Sequence, residues 1–403
     1  MENETDNPQR WQPPRIVLVL QGGGALGAYQ GGVFQALEEQ GLEPDWVVGT
    51  SIGAINGAII AGNTREDRLG KLREFWEIVS QEDVWDPIRV DDDVRQLNTY
   101  LTALGVLAAG VSGFFKPRRP GPPFMGDSAD AATASFYETE PLRETLNRLV
   151  DFERLGQEGA TRLTMGAVNV TSGVLVYFDS SKEKLKAEHV MASGALPPGF
   201  PAVRIGDDLY WDGGVCSNTP IDAVIDDDPP MDTLCIMVDL WNRVGPEPRS
   251  IAEVQTREKD ILYATRSRHT LKDYQRMQDI RRAFCALSEK LPPDLQELHE
   301  METLTRLLSG PRLTIIRLTY PGQDWGMPSK DINFSRGSID WRWDQGYRDA
   351  MRALGQEGWL NLPPTTGALI YELAPEKPAV PEAPPAAKPK RAKTTRAPRK
   401  PKG

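Results

Sequence analysis

The sequence predicts an α/β fold in which a mainly parallel central sheet lies between two layers of helices. Two apolar runs, Ile16 to Leu20 and Trp46 to Val48, each lead through a glycine-containing turn into a helical pattern. That strand, helix, strand, helix order implies parallel strands joined by crossovers, with helices on both faces of the sheet. A chain of 403 residues is long enough for one large α/β domain and an accessory region.

Ile16 to Leu20 is apolar and β-branched, with prolines before it and glycines after, as a buried parallel strand requires. From Ala25 to Gln40 apolar residues recur at Leu26, Tyr29, Val33, Phe34 and Leu37, which is helical spacing, and Gly41 stands where a C-terminal cap belongs. Ile52 to Ala61 is a helix of small and apolar residues. Arg65 to Ser80 and Pro141 to Leu155 read as helices, Leu163 to Val170 and Gly173 to Asp179 as strands joined by a Thr-Ser turn, and Leu234 to Leu240 as another strand. Charged helices follow at Ile251 to Leu291 and Pro293 to Leu308, then a strand at Leu313 to Leu318 and a last helix at Ile339 to Leu354.

Composition adds an asymmetry. From Pro375 the chain is proline, alanine and basic residues, which predicts a disordered tail. Eight Lys or Arg lie between Lys388 and Lys402, so a net charge of -10 becomes about -18 once they are set aside. The tail is either a solubilising end or a tether to anionic lipid, a granule surface or nucleic acid, the last only through 388–402. Met1 to Arg15 is too polar for a signal peptide. Three cysteines without metal-like spacing fit a reducing compartment, so the expected location is cytoplasmic. Leu101 to Phe115 is apolar but too short to span a bilayer. With the basic, proline-rich stretch after it, 101–123 is expected to form a mobile flap, a contact with a membrane or granule, or a buried helix or loop.

Chemistry concentrates in two turns. Gly22, Gly23, Gly24 and Gly27 lie between a strand and a helix, where the first backbone N–H groups have no intrahelical acceptor and form an anion site. The same letters satisfy a dinucleotide fingerprint, but the second strand ends in Gly49-Thr50-Ser51 rather than in an acid. Gly49 to Gly53 reads G-x-S-x-G at a strand-to-helix turn, the arrangement that presents a serine hydroxyl above a sheet edge. Read alone, Ser51 could also be the N-cap of the next helix.

A serine hydroxyl needs a base to take its proton. His269 and His299 lie in charged helical stretches and His189 precedes an apolar run, so none stands out as that base. Asp212, followed by Gly213 and Gly214 and preceded by the turn Gly206-Asp207-Asp208, is the alternative, and an ordinary Asp-Gly-Gly turn is the competing explanation.

These motifs in this order resemble the patatin-like phospholipase family: Gly22 to Gly27, then Gly49 to Gly53, then Asp212-Gly213-Gly214. Ala192 to Pro201 is similar to the loop that bacterial members place before the aspartate, and residues 241 to 370 are similar to the C-terminal extension of a bacterial subset. The resemblance implies a three-layer α/β/α fold and hydrolysis of a lipid or other acyl ester. Ser51 would be the nucleophile, Asp212 the general base, and Gly22, Gly23 and Gly24 the oxyanion hole, with Gly27, Gly49, Gly53, Gly213 and Gly214 supporting the motifs. It implies no metal and no organic cofactor. The expected organisation is a flexible N-terminus at 1–14, a catalytic domain at 15–240, a mainly helical extension packed on it at 241–372, and the tail at 373–403. Many members carry Arg or Lys where Leu26 stands, so the oxyanion loop here lacks a cation for a substrate phosphate. A Ser-His-Asp esterase, a nucleotide-binding protein, and a granule-, membrane- or DNA-associated protein acting mainly through its tail are the alternatives.

Overall fold

In chain order the strands are β1 (Ile16–Leu20), β2 (Trp46–Gly49), β3 (Lys116–Pro117), β4 (Tyr137–Glu138), β5 (Arg162–Asn169), β6 (Leu175–Asp179), β7 (Val203–Ile205), β8 (Asp208–Asp212), β9 (Thr233–Asp239), β10 (Leu313–Thr319) and β11 (Ala368–Glu372). The helices are α1 (Ala28–Glu39), α2 (Ile52–Ala61), α3 (Arg65–Val79), α4 (Glu140–Leu149), α5 (Ala187–Ser193), α6 (Asp222–Ile225), α7 (Ile251–Ser288) and α8 (Arg336–Leu354). This computed structural model describes residues 14–82, 105–118, 130–227, 231–288, 290–292, 313–322, 329–356 and 368–373. The expectations for residues 1–13, for a helix at 293–308, for His299 and for the basic tail lie outside them.

Among the described residues nine strands form one sheet in the order β11-β10-β9-β1-β2-β5-β8-β7, with β6 also paired to β5. The run from β11 to β5 is parallel, and β6, β7 and β8 are antiparallel additions. Alternation along the strands divides the core in two. Leu18, Leu20, Val47, Ile236 and Ile316 join the side chains of α1, α2, α3 and α8 on one face. Val17, Val19, Val48, Cys235 and Ile315 meet Val224 of α6 and Leu271 of α7 on the other. The fold is therefore three-layered, α/β/α, and each buried aliphatic side chain contributes about 1.5–3 kcal/mol against exposure.

The register along β5 brings distant segments together. β2 pairs with Arg162 to Met165, β8 with Ala167 to Asn169, and β6 with Thr164 to Val168. Because β6 overlaps both of the others, it occupies one edge of β5 while β2 and β8 share the other. Gly49 lies opposite Met165 and Asp212 opposite Ala167. The end of β2 and the end of β8 therefore meet head to head across Gly166.

Several elements differ from their expected bounds for local reasons. The first helix begins as a 3-10 turn at Gly24–Gly27, because Gly24 has φ +54° and cannot continue an α-helix. The helix expected to reach Leu155 stops at Leu149, where Asp151 accepts from the amides of Glu153 and Arg154 and holds a turn instead. Helix α5, the β7–β8 hairpin and the edge strand β11 add to the elements read from the sequence.

Candidate active site

Ser51 stands between β2 and α2 with φ 57° and ψ -123°, a left-handed conformation that costs a non-glycine residue on the order of 1–3 kcal/mol. The turn is tight enough that a Cβ on Gly49 would lie 2.3 Å from the Gly53 carbonyl oxygen, and one on Gly53 would lie 2.2 Å from that of Leu20. Only glycine fits either place. The Ser51 amide donates to the backbone oxygen and to Oγ of Ser193, both at 3.1 Å, and the Ser193 hydroxyl donates to Gly166 O at 2.7 Å. Ser51 stands at the N-cap position of α2, but its side chain makes no capping bond there. Instead the Ser51 hydroxyl and the Asp212 carboxylate line the same cavity, and the hydroxyl favours the charged form of the acid.

Asp212 ends β8 and is 2% exposed. Burial pushes its carboxyl up to about 7, opposed by the nearby Ser51 hydroxyl and by the Gly214 amide, which donates to Oδ1 at 2.7 Å. Gly213 opens the 3-10 turn that returns the Gly214 amide to the carboxylate. The result is a carboxylate poised between its charged and neutral forms near neutral pH.

The glycine loop faces the same place. A Cβ on Gly22 would lie 3.1 Å from Ser51 Cβ. The Gly22 amide is engaged, however, because it donates to Asn218 O at 3.0 Å. Of the three glycines expected at an oxyanion hole, Gly22 thus has its amide tied to the loop after β8, and the amides of Gly23 and Gly24 stand at the start of the 3-10 turn, where helix geometry leaves donors over. Gly22 O accepts from Asn218 Nδ2 at 2.9 Å and from Trp241 Nε1 at 2.8 Å. Gly24 packs on the backbone of Asp331. Gly27 closes the turn, its carbonyl accepting from Asn56 Nδ2 at 3.0 Å.

A cavity of about 420 Å³ opens over Ser51 and Asp212. One wall is aromatic: Phe114, Phe115, Phe136, Tyr137, Phe200 and Phe334. Its rings interlock, with centroids 5.1 Å apart for Phe115 and Phe200 and 5.9 Å for Phe114 and Phe334. The described part of the apolar 101–123 segment supplies Val106, Leu107, Phe114 and Phe115 to this wall. It is tied back by Thr145 Oγ1 donating to Gly113 O at 2.7 Å and by the Tyr137 hydroxyl donating to Leu107 O at 2.9 Å.

A family profile described as patatin-like phospholipase matches residues 18–225, the span that holds Ser51, Asp212 and the glycine loop. The chain belongs to the patatin-like phospholipase family. A second profile, a domain of unknown function described as patatin phospholipase, matches residues 261–366. Lysophospholipase nte1 of Aspergillus terreus is 61% identical over 46 residues, 11% of this chain and 3% of that protein. Patatin-like phospholipase domain-containing protein 7 of Rattus norvegicus is 33% identical over 104 residues, 26% of this chain and 7% of that protein. The matched stretches are thus a small part of these relatives' length. VipD from Legionella pneumophila superimposes with a TM-score of 0.41 at 17% identity, over 86% of this chain and 67% of that one.

For this patatin-like chain, the two described histidines stand apart from the cavity. His189 is buried, its Nδ1 accepts from the Lys186 amide at 3.0 Å, and its ring packs edge-on to Phe178, while burial holds its pKa down. His269 is exposed on α7. Among the described residues no His lines the cavity and no group of three His, Cys, Asp or Glu is arranged to hold a metal ion. No described helix is long and apolar enough to cross a membrane. Sequence reasoning missed Asn218, Trp241, Lys259 and Asp331, which reach the site only through tertiary contacts and carry no motif, and it gave Ser193 no role beyond its place in the Ala192 to Pro201 loop.

Proposed function

We propose that the chain is a serine acyl-ester hydrolase acting on lipids through an acyl-enzyme on Ser51. The observation that carries this is the meeting of a strained, turn-borne serine and a buried carboxylate at the foot of an apolar cavity, with the ends of β2 and β8 set against each other across Gly166. Ser51 Oγ attacks the ester carbonyl while Asp212 takes the hydroxyl proton, and the Gly23 and Gly24 amides hold the oxyanion. The intermediate collapses, the alcohol leaves, and it takes the proton from Asp212. Water then attacks the acyl group as Asp212 accepts its proton. The fatty acid departs and the proton returns to Ser51. Relatives named lysophospholipase and triacylglycerol lipase support a lipid substrate.

Exposed Leu107, Phe136 and Leu196 line the cavity and form an apolar rim, which supports docking on a lipid surface, with the basic tail at 388–402 as a second peripheral contact. Unpaired cysteines at 216, 235 and 285 support a reducing, cytoplasmic setting.

The direct test is covalent. A long-chain alkyl fluorophosphonate is expected to label the protein once, on the peptide containing Ser51; labelling elsewhere, or none, defeats the proposal. Replacing His189, His269 and His299 together by alanine is expected to leave most ester turnover intact in an assay on a soluble ester. Loss comparable to removal of Ser51 would instead make a histidine the base.

A further inference from the structure

We propose that Lys259 is the specificity residue that admits a phosphate-bearing head group beside the scissile ester, an inference that rests on the hydrolase reading above. Leu26 occupies the loop position where a cation would be expected, and it is fully buried in the core. The structure places a cation in the cavity by another route. Helix α7 carries Lys259 into the wall that also holds Gly22, Ser51 and Asp212.

The Lys259 ammonium sits 3.2 and 2.9 Å from the two carboxylate oxygens of Asp331, and its side chain is 45% exposed. An ammonium has three N–H donors, so a donor remains for an anionic ligand. Asp331 is itself fixed, since its backbone packs on Gly24 of the oxyanion loop. The ion pair is therefore held at a set place relative to the reacting serine.

A second cavity, of about 320 Å³, shares Trp241, Lys259 and Asp331 with the first and is otherwise polar, lined by Gln255, Thr256 and Glu258 among others. None of the aromatic wall of the first cavity borders it. The pair thus marks where an apolar acyl site meets a polar annex. A lipid lying across this junction has its acyl chain among the phenylalanines, its ester at Ser51, its phosphate at Lys259 and the rest of its head group in the annex. Lys330, which also lines the annex, is paired with Asp260 at 2.7 Å, so Glu258 favours a head group that ends in an ammonium.

The test compares a lysophosphatidylcholine with a monoacylglycerol of the same acyl chain, measured with the full chain, with Lys259→Met and with Lys259→Arg. The ratio of kcat/KM for the phospholipid to that for the neutral ester is expected to fall about 10-fold or more in Lys259→Met, as loss of a charge-assisted hydrogen bond implies, and to recover in Lys259→Arg. An unchanged ratio overturns the proposal, whether both rates stay level or fall together as a purely structural lysine would make them. Wild type that cleaves only the neutral ester also overturns it and leaves the hydrolase intact. Wild type that cleaves neither, or a Ser51→Ala protein as active as wild type, removes the hydrolase reading and this inference with it.

Discussion

Ser51→Ala is expected to lower kcat on any carboxylic ester by on the order of 10⁴-fold or more, with the protein still folded. The proposed mechanism has no other nucleophile within reach, since the oxyanion amides and the cavity can bind an ester but cannot form the acyl-enzyme. Folding should be little affected because the Ser51 side chain caps no helix, and the turn is held by backbone contacts at Gly49, Gly53 and Ser193 that alanine keeps. The measurement is single-turnover acyl release together with a melting curve. Substantial remaining turnover in a folded variant would show that Ser51 is not the nucleophile. The double variant with Asp212→Asn should be no worse than Ser51→Ala alone, because the two groups act in one step and their effects do not add.

Much of this site was legible in the sequence because its parts are local. G-x-S-x-G and the glycine loop each sit within one strand-to-helix turn, and a turn that excludes side chains writes itself as glycine. What joins the parts is not local. Asp212 meets Ser51 only because β2 and β8 share one edge of β5 with a single residue, Gly166, between their registers. No periodicity in the chain announces that pairing. The same holds for the buttress of the oxyanion loop. Gln21 is buried and its Oε1 accepts from the Trp241 amide at 3.1 Å, Trp241 Nε1 donates to Gly22 O, and buried Arg342 donates to Ala25 O at 3.2 Å and to Lys330 O at 3.0 Å. Trp241, Asp331 and Arg342 come from beyond residue 240, so the loop is completed by a part of the chain whose own sequence shows only charged helices and one strand. The anchor of Gly22 is hidden from the sequence for the same reason, since Asn218, which accepts from its amide, is nearly two hundred residues away. The apolar segment before Phe115 was ambiguous because Gly110 and Gly113 break its pattern; both have positive φ and turn the chain so that its aromatic residues face the cavity.

Asp212→Asn is expected to abolish most turnover and yet to make the protein more resistant to heat at alkaline pH. A carboxyl raised to about 7 by burial is neutral in the folded chain over a range where the unfolded chain, with an ordinary carboxylate near 4, is already ionised. Between those values the folded state binds more protons than the unfolded one, so this group's contribution to stability falls as pH rises from about 4 to about 7 and stays low above it. Asparagine is neutral throughout and escapes that penalty. The difference in Tm between variant and wild type should therefore be smallest at pH 4 and largest above pH 7, where a pKa gap of about three units corresponds to about 4 kcal/mol. Activity runs the other way with the same group: a general base must be ionised, so wild-type kcat/KM on an uncharged ester should climb with a midpoint near 7, while loss of the base costs about 10²–10⁴-fold. The two curves cross-check each other, since one carboxylate governs both. A wild-type rate that is flat from pH 5 to 9, or an asparagine variant that melts below wild type at pH 8, would mean that the buried carboxylate is not the proton acceptor for Ser51.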